Sequence, residues 1–113
     1  GEELLRSLAT PLAGYLAARE QILMVSGFTD DRPVRASNGQ FADNWELSAQ
    51  RALTVTRSLI DAGVPADAVF AAAFGPQQPV ASNDDASGRA KNRRVEIAPM
   101  PRPARSPAAA DGR

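Results

Sequence analysis

The chain has 113 residues, with 13 basic and 13 acidic side chains and neither cysteine nor histidine. This length supports one domain with a modest core, and the balanced charge argues against a nucleic-acid partner, which would require a strongly basic surface. The composition also excludes a disulfide framework, thiol or imidazole catalysis and most transition-metal sites, so we expect no cofactor and no metal. No apolar run reaches the ~18 residues that cross a bilayer, so this segment itself should make no membrane contact.

The N-terminal segment predicts an amphipathic helix that runs to about Arg19. Apolar residues recur there at intervals of three and four, which places them on one helical face that packs on another element. Pro11 interrupts the pattern. Because Thr10 is a suitable cap and proline is tolerated at a first helical position, one kinked helix and two short helices both fit the sequence.

Residues 21–26 predict the first strand. They form a nearly continuous apolar run that Gly27 closes, as expected for a strand covered on both faces. From Gly27 to Asp43 the composition turns polar, which indicates a long loop at the C-terminal end of this strand.

Residues 44–62 predict the second helix, which Gly63 ends in a left-handed conformation. Two helix starts are open. Asp43 followed three residues later by Glu46 is the pattern of a capping box, and Ser48 is a rival cap. Inward-facing positions recur at helical spacing: Leu47, Ala52, Val55, Leu59 and Ile60.

Residues 69–74 predict a second strand that ends at Gly75, which completes a βαβ unit with a parallel, right-handed crossover. After a short helical stretch, residues 94–97 alternate as a final strand. The predicted fold class is α/β, an α+β sandwich with a βαβ-containing mixed sheet and helices packed on it. We expect this domain to occupy residues 1–98 and the Pro/Ala/Arg-rich residues 99–113 to form a disordered tail.

Four segments stand out in chain order: Gly27-Phe28-Thr29-Asp30, Asn44 to Ala52, Phe74-Gly75 with Pro79, and Asn92 to Ile97. Together they resemble the OmpA-like peptidoglycan-binding domain, most of all its MotB-type members, the wall anchors of flagellar motor stators. The resemblance covers roughly residues 2–98 and differs from the family in two respects. The family usually opens with a strand, whereas this chain opens on helix, so we expect that strand to be missing. Phe28 stands where the family usually has His or Tyr.

The resemblance implies non-covalent binding of the peptidoglycan peptide stem through its diaminopimelate residue. One carbon of that residue carries an ammonium and a carboxylate, and the family pattern assigns the anion that meets them to Asp30 and the cation to Arg51. Asp30 follows a strand, where open sheets place ligand crevices, and a guanidinium can grip a carboxylate through two parallel bonds. The other assigned residues are Thr29, Phe28, Asn44, Leu47 and Arg94. Arg94 is preferred to Arg93, which as its strand neighbour should point to the other face.

The family also implies a periplasmic, wall-attached protein that is not an enzyme, whose membrane anchor, if any, lies upstream and which can form a homodimer. Two alternatives remain. The domain could be a dimerisation module with incidental wall contact, or a glycan hydrolase that pairs Asp30 or Asp31 with Glu46. Trp45 fits either a carbohydrate-stacking platform or a cover for the core, and we favour the core. Residues 83–85 lack the ligand spacing of a calcium loop, so we expect a surface turn.

Overall fold

The computed structural model describes residues 2–34 and 40–103 of the chain. The described strands form one mixed sheet in the order β2-β1-β3, in which β1 runs parallel to β2 and antiparallel to β3. This architecture confirms the predicted fold class and the βαβ unit. In chain order the elements are α1 (Glu2–Ala18), β1 (Gln21–Phe28), α2 (Asn44–Ala62), a 3-10 turn (Ala66–Ala68), β2 (Val69–Gly75), α3 (Ala86–Asn92) and β3 (Arg94–Pro101).

The core lies between the sheet and the two long helices. Leu23 and Val25 of the central strand β1 are fully buried there, opposite Val69 and Ala71 of β2. Since successive side chains of a strand point to opposite faces, the even-numbered residues of β1 lie on the other side of the sheet. The core cluster comprises Ala9, Leu16, Leu23, Val25, Ala52, Leu59, Val64, Ala68 and Val69.

The N-terminal segment is a single helix with Pro11 inside it, so the interpretation as two short helices was wrong. Only part of the predicted apolar stripe packs. Ala9 and Leu16 are buried, whereas Leu4 and Leu8 are 61% and 53% exposed. None of the described helices is both long and apolar enough to cross a membrane.

Helix α2 spans the predicted residues and has Asp43, not Ser48, as its cap. The Glu46 backbone N–H donates to Asp43 Oδ1 at 2.9 Å, and the Glu46 carboxylate accepts from the backbone N–H of Ala42 at 3.1 Å. Ser48 is instead fully buried. Gly63 ends the helix with φ of 122°, the conformation predicted for it.

Strand β3 continues to Pro101, beyond the final strand predicted at residues 94–97 and beyond residue 98, where the domain was predicted to end. Pro99 and Pro101 lie two residues apart and therefore have the same orientation in the strand. Proline has no backbone N–H, so both prolines are tolerated if the N–H at their positions would point to the outer edge of the sheet and not to β1. The backbone N–H of Arg102 then donates to Glu20 O at 2.8 Å. Residues 104–113, most of the predicted disordered tail, lie outside the described residues.

Candidate functional site

Asp30 lies just beyond the C-terminal end of β1, as predicted, and Thr29 fixes this position. The backbone N–H of Thr29 donates to Gly75 O at 2.8 Å, which ties the end of β1 to the end of β2. Its hydroxyl donates to Asp30 O, also at 2.8 Å. Thr29 is buried, so its side chain supports the backbone of the site.

The carboxylate of Asp30 has two donors in the structure. Arg93 Nη1 donates to Asp30 Oδ2 at 2.7 Å, and the backbone N–H of Arg32 donates to Asp30 Oδ1 at 3.0 Å. The Asp30 side chain is 11% exposed, whereas that of Arg93 is 43% exposed. A buried carboxylate needs such partners. The half-exposed guanidinium of Arg93 keeps further N–H groups directed toward solvent.

A cleft of about 540 Å³ opens at this carboxylate. Three guanidinium groups and one carboxylate line it, so its lining carries an excess of positive charge although the chain as a whole is neutral. Such a lining can bind a carboxylate through bidentate hydrogen bonds while Asp30 accepts from an ammonium. The lining residues are Asp30, Arg32, Pro33, Val34, Arg89 and Arg93.

Asn44 holds the loop that forms one wall of the cleft. Its side-chain amide donates to Arg32 O at 2.9 Å and lies 3.4 Å from Asp30 O. Because Asp43 caps the helix, Asn44 is free to make these contacts with the loop. Its predicted role as a ligand contact stays a prediction.

Leu47 and Arg51 are partly buried on α2, and neither lines the cleft. Within residues 2–34 and 40–103, Arg51 makes no hydrogen bond or ion pair. The carboxylate that Arg51 was expected to face is engaged by Arg93. The joint grip of Asp30 and Arg51 on a ligand therefore stays a prediction.

Arg93, and not Arg94, is the guanidinium that pairs with Asp30, so the expectation that Arg93 points to the other face was wrong, whereas the role of Arg94 as a ligand contact stays a prediction. Arg93 is the C-cap of α3 and precedes β3, so the alternation of strand side chains does not determine its direction. Arg94, the first residue of β3, stacks on the Phe28 ring at 3.8 Å from the centroid and donates through Nη2 to Gln78 O at 3.0 Å.

Phe28 belongs to a second cleft, on the sheet face away from the core. Its ring stacks on Phe74 with centroids 5.0 Å apart, and Arg94 covers it. This cleft of about 370 Å³ also includes Met24 and Val80. The lining of the Asp30 cleft does not include Phe28, and its predicted role as a ligand contact stays a prediction.

Neither composition nor motif spacing selected Arg32 and Arg89, which line the cleft together with Asp30. Arg32 comes from the polar loop after β1, and Arg89 comes from α3, where its Nη1 donates to Asn83 O at 2.9 Å. Spacing along the chain could not reveal that either side chain lines this cleft. A search for arginines flanking the Asn92 motif could have found Arg89.

The turn at residues 83–85 serves α3. Asp85 caps this helix by accepting from the Gly88 backbone N–H at 2.6 Å, and Asn83 Oδ1 accepts from the Asn92 amide at 2.8 Å. Among the described residues, no cluster of acidic side chains could hold a metal ion.

The sequence profile of the OmpA family matches residues 2–93. The motility protein B of Bacillus subtilis is 43% identical over 81 residues, which are 71% of this chain and 30% of that protein. The peptidoglycan-binding protein ArfA of Mycobacterium tuberculosis is 39% identical over 95 residues, 84% of this chain and 26% of that protein. The chain thus spans less than a third of either relative.

Solved structures agree with the sequence relatives. The C-terminal domain of Helicobacter pylori MotB superposes with a TM-score of 0.74 at 30% identity and covers 97% of this chain and 78% of that one. The cell wall anchor of the type VI secretion system (T6SS) of Pseudomonas aeruginosa gives a TM-score of 0.63 at 35% identity, over 80% and 62% of the two chains. The resemblance identified from four short motifs is confirmed, and this chain belongs to the OmpA family.

Proposed function

We propose that this chain is a non-catalytic module that binds peptidoglycan and anchors the protein that carries it to the cell wall. The observation that carries the proposal is the buried carboxylate of Asp30 at the base of a guanidinium-lined cleft. Two similar proteins support it by their names, a peptidoglycan-binding protein and a cell wall anchor. The motility proteins among the relatives favour a wall anchor of a motor or other envelope complex in the periplasm.

The ligand proposed for the cleft is the side-chain end of diaminopimelate in the peptide stem. Its ammonium is matched by the Asp30 carboxylate, and its carboxylate is matched by a guanidinium fork. Arg93 lies nearest to Asp30, and Arg51 is the cation that the family pattern assigns. One arginine can grip a carboxylate through two parallel N–H groups, which a lysine cannot do.

Hydrolysis of the glycan is the less favoured function. It requires two carboxyl groups that flank the scissile bond, one as acid and one as base or nucleophile. Asp30 is instead paired with Arg93, and Glu46 accepts from the Ala42 backbone N–H at the start of α2. Both carboxylates therefore have structural partners. Release of muropeptides from purified sacculi by this chain would support hydrolysis.

Assembly into a homodimer is the second candidate, and the exposed leucines of α1 favour it. Leu4 and Leu8 are exposed on one face of α1, and a second copy of the domain could cover that face. Assembly and anchoring are compatible, since two linked domains on one polymer gain avidity without any new contact. A purely assembling domain would retain any incidental wall contact after the cleft is disabled.

Co-sedimentation with purified diaminopimelate-type sacculi tests the proposal. We expect the wild-type chain to sediment with sacculi and Asp30→Ala to remain in the supernatant, because the ammonium loses its anion. Arg51→Ala should also lose sedimentation if the family assignment holds. Arg57→Ala, an exposed arginine on the same helix, is the matched control and should behave as wild type.

Circular dichroism must first show that the variants fold, and Asp30→Asn provides a variant of the same shape without the charge. Retention of both Asp30 variants on the sacculi would contradict the proposal. It would mean that the wall contact lies elsewhere or that the domain serves assembly alone.

A further inference from the structure

Trp45, the only tryptophan of the chain, has a half-exposed ring that packs on the backbone near the proposed site. The residue is 48% exposed and lies outside the core cluster, so the prediction that it covers the core was wrong. One ring face lies against Gly75. A Cβ added there would meet Cδ2, Cε3 and Cε2 of the ring at 2.9, 3.1 and 3.2 Å. Three nearly equal distances indicate a flat contact, which leaves the opposite ring face toward solvent.

The backbone around the ring is fixed by Ser48. The Ser48 hydroxyl donates to Trp45 O at 2.9 Å and accepts from the Gly75 backbone N–H at 3.0 Å. Gly75 itself has φ of 58° and has no room for a side chain beneath the ring. The platform is therefore pre-organised, so a ligand that stacks on it does not need to order it first.

Other exposed aromatic side chains do not share these properties. Tyr15 is also 48% exposed, but the guanidinium of Arg19 lies 3.7 Å from its ring centroid and already covers a face. Phe70 is 37% exposed and is the second residue of β2, at the opposite end of the strand from Gly75. An isolated exposed aromatic is common on protein surfaces, so the position of Trp45 is what distinguishes it.

The ring of Trp45 is close to Asp30 through a short chain of contacts. It packs on Gly75, whose carbonyl accepts from the N–H of Thr29, the neighbour of Asp30. The ring and Gly75 are in van der Waals contact, at roughly 4 Å, and Gly75 and Thr29 lie on adjacent strands roughly 5 Å apart, so the ring and the Asp30 segment are on the order of 10 Å apart. In peptidoglycan the diaminopimelate is the third residue of a stem that begins on a sugar, and three extended residues also span roughly 10 Å. A stem held at Asp30 therefore brings its sugar within reach of the ring.

We propose that Trp45 is a stacking platform for an N-acetylated amino sugar of the glycan strand, so that the domain binds sugar and stem together. This inference rests on the proposed function. The C–H face of a pyranose matches the apolar ring face, and polar side chains are present around it for the hydroxyl and acetamido groups. In sequence the nearest of these are Asn44, whose amide donates to Arg32 O and whose Oδ1 can still accept, and the exposed Gln77, two residues after Gly75.

Titration calorimetry of the whole chain with two soluble ligands tests the inference. The ligands are the free diaminopimelate tripeptide and the same tripeptide attached to its disaccharide. We expect wild type to bind the disaccharide form about tenfold more tightly, the order of one aromatic face buried. Trp45→Ala should lose this difference, Trp45→Phe should retain most of it, and Tyr15→Ala should retain all of it.

Equal affinity of wild type for the two ligands, or an unchanged preference in folded Trp45→Ala, overturns the inference. The proposed function stands in that case if Asp30→Ala abolishes binding of the tripeptide. Failure of wild type to bind either ligand overturns both. Thermal unfolding of each variant shows whether Trp45→Ala has kept the fold. If Trp45→Ala is unfolded, the test rests on Trp45→Phe, which keeps an aromatic ring face. A folded Trp45→Phe that has lost the preference for the disaccharide form also contradicts stacking.

Discussion

Asn92 shows how one residue of the closing motif supports the site without touching a ligand. It is fully buried, and its Oδ1 accepts from the backbone N–H groups of Val80 and Ala81 at 2.8 and 3.0 Å. Its Nδ2 donates to Ala81 O at 2.9 Å and to Asn83 Oδ1 at 2.8 Å. The next residue is Arg93, the partner of Asp30, so Asn92 anchors the chain where that guanidinium emerges.

Asn92→Ala should therefore lower the free energy of unfolding by about 3 kcal/mol, because four hydrogen bonds are lost and several buried polar groups are left without partners. Asn83→Ala is the control, since it removes only one of these bonds and should cost about 1 kcal/mol. Urea unfolding monitored by circular dichroism measures both. Equal stabilities of the two variants would show that Asn92 is not the anchor of this loop.

The residues of the site could be predicted only in part. The strand pattern predicted the position of Asp30 after β1, whereas its assignment as the anion of the site came from the resemblance to the family. Arg93 could not be chosen, since it is the single residue between the end of α3 at Asn92 and the start of β3 at Arg94. A shift of one residue in an element boundary reverses an argument from strand alternation, and boundaries are what local sequence determines least.

The close approach of α2 to β1 is the feature of the elements on which the site depends. A Cβ on Gly27 would lie 2.0 Å from Ser48 O, so the helix and strand meet at backbone distance. This contact places Ser48 where its hydroxyl bonds to Gly75 and places Asn44 where it reaches Arg32 O.

Gly27→Ala should destabilise the protein by about 3 kcal/mol or more, because backbone atoms must separate to admit the methyl group. Gly14→Ala is the matched control. Nothing lies within 4 Å of a Cβ at Gly14 in α1, so this change should stabilise the protein by about 0.5–1 kcal/mol. Chemical denaturation of the two variants gives both values. A Gly27→Ala protein as stable as Gly14→Ala would contradict the packing of α2 on β1.

The elements were more predictable than their ends. Helix α2 and strands β1 and β2 were predicted because periodicity, caps and glycines agreed. The extension of β3 through Pro99 and Pro101 was missed because prolines usually end a strand. Pro99 and Pro101 are compatible with β3 because this strand pairs with β1 along one side. The N–H groups that the two prolines lack would point to the other side. That information is tertiary and is absent from the local pattern.

At the scale of the whole molecule, the sheet topology assembles the site from distant parts of the chain. The parallel strands β1 and β2 end at the edge where the antiparallel strand β3 begins. Asp30, Gly75 and Arg93 therefore meet there, and Asp30 and Arg93 are separated by 63 positions in sequence. The cleft gathers positive charge at this edge while the chain remains neutral, which suits a ligand whose anionic groups outnumber its cations.

The affinity of the wild-type chain for two soluble tripeptides, one with diaminopimelate and one with lysine at the third position, tests the proposed recognition most directly. The lysine stem keeps the ammonium and lacks the carboxylate on the same carbon. We predict that it binds about tenfold more weakly or worse, since the loss of a charge-assisted bidentate contact costs at least about 1.4 kcal/mol. Equal affinity for the two tripeptides would contradict recognition of the zwitterionic end of diaminopimelate by this domain.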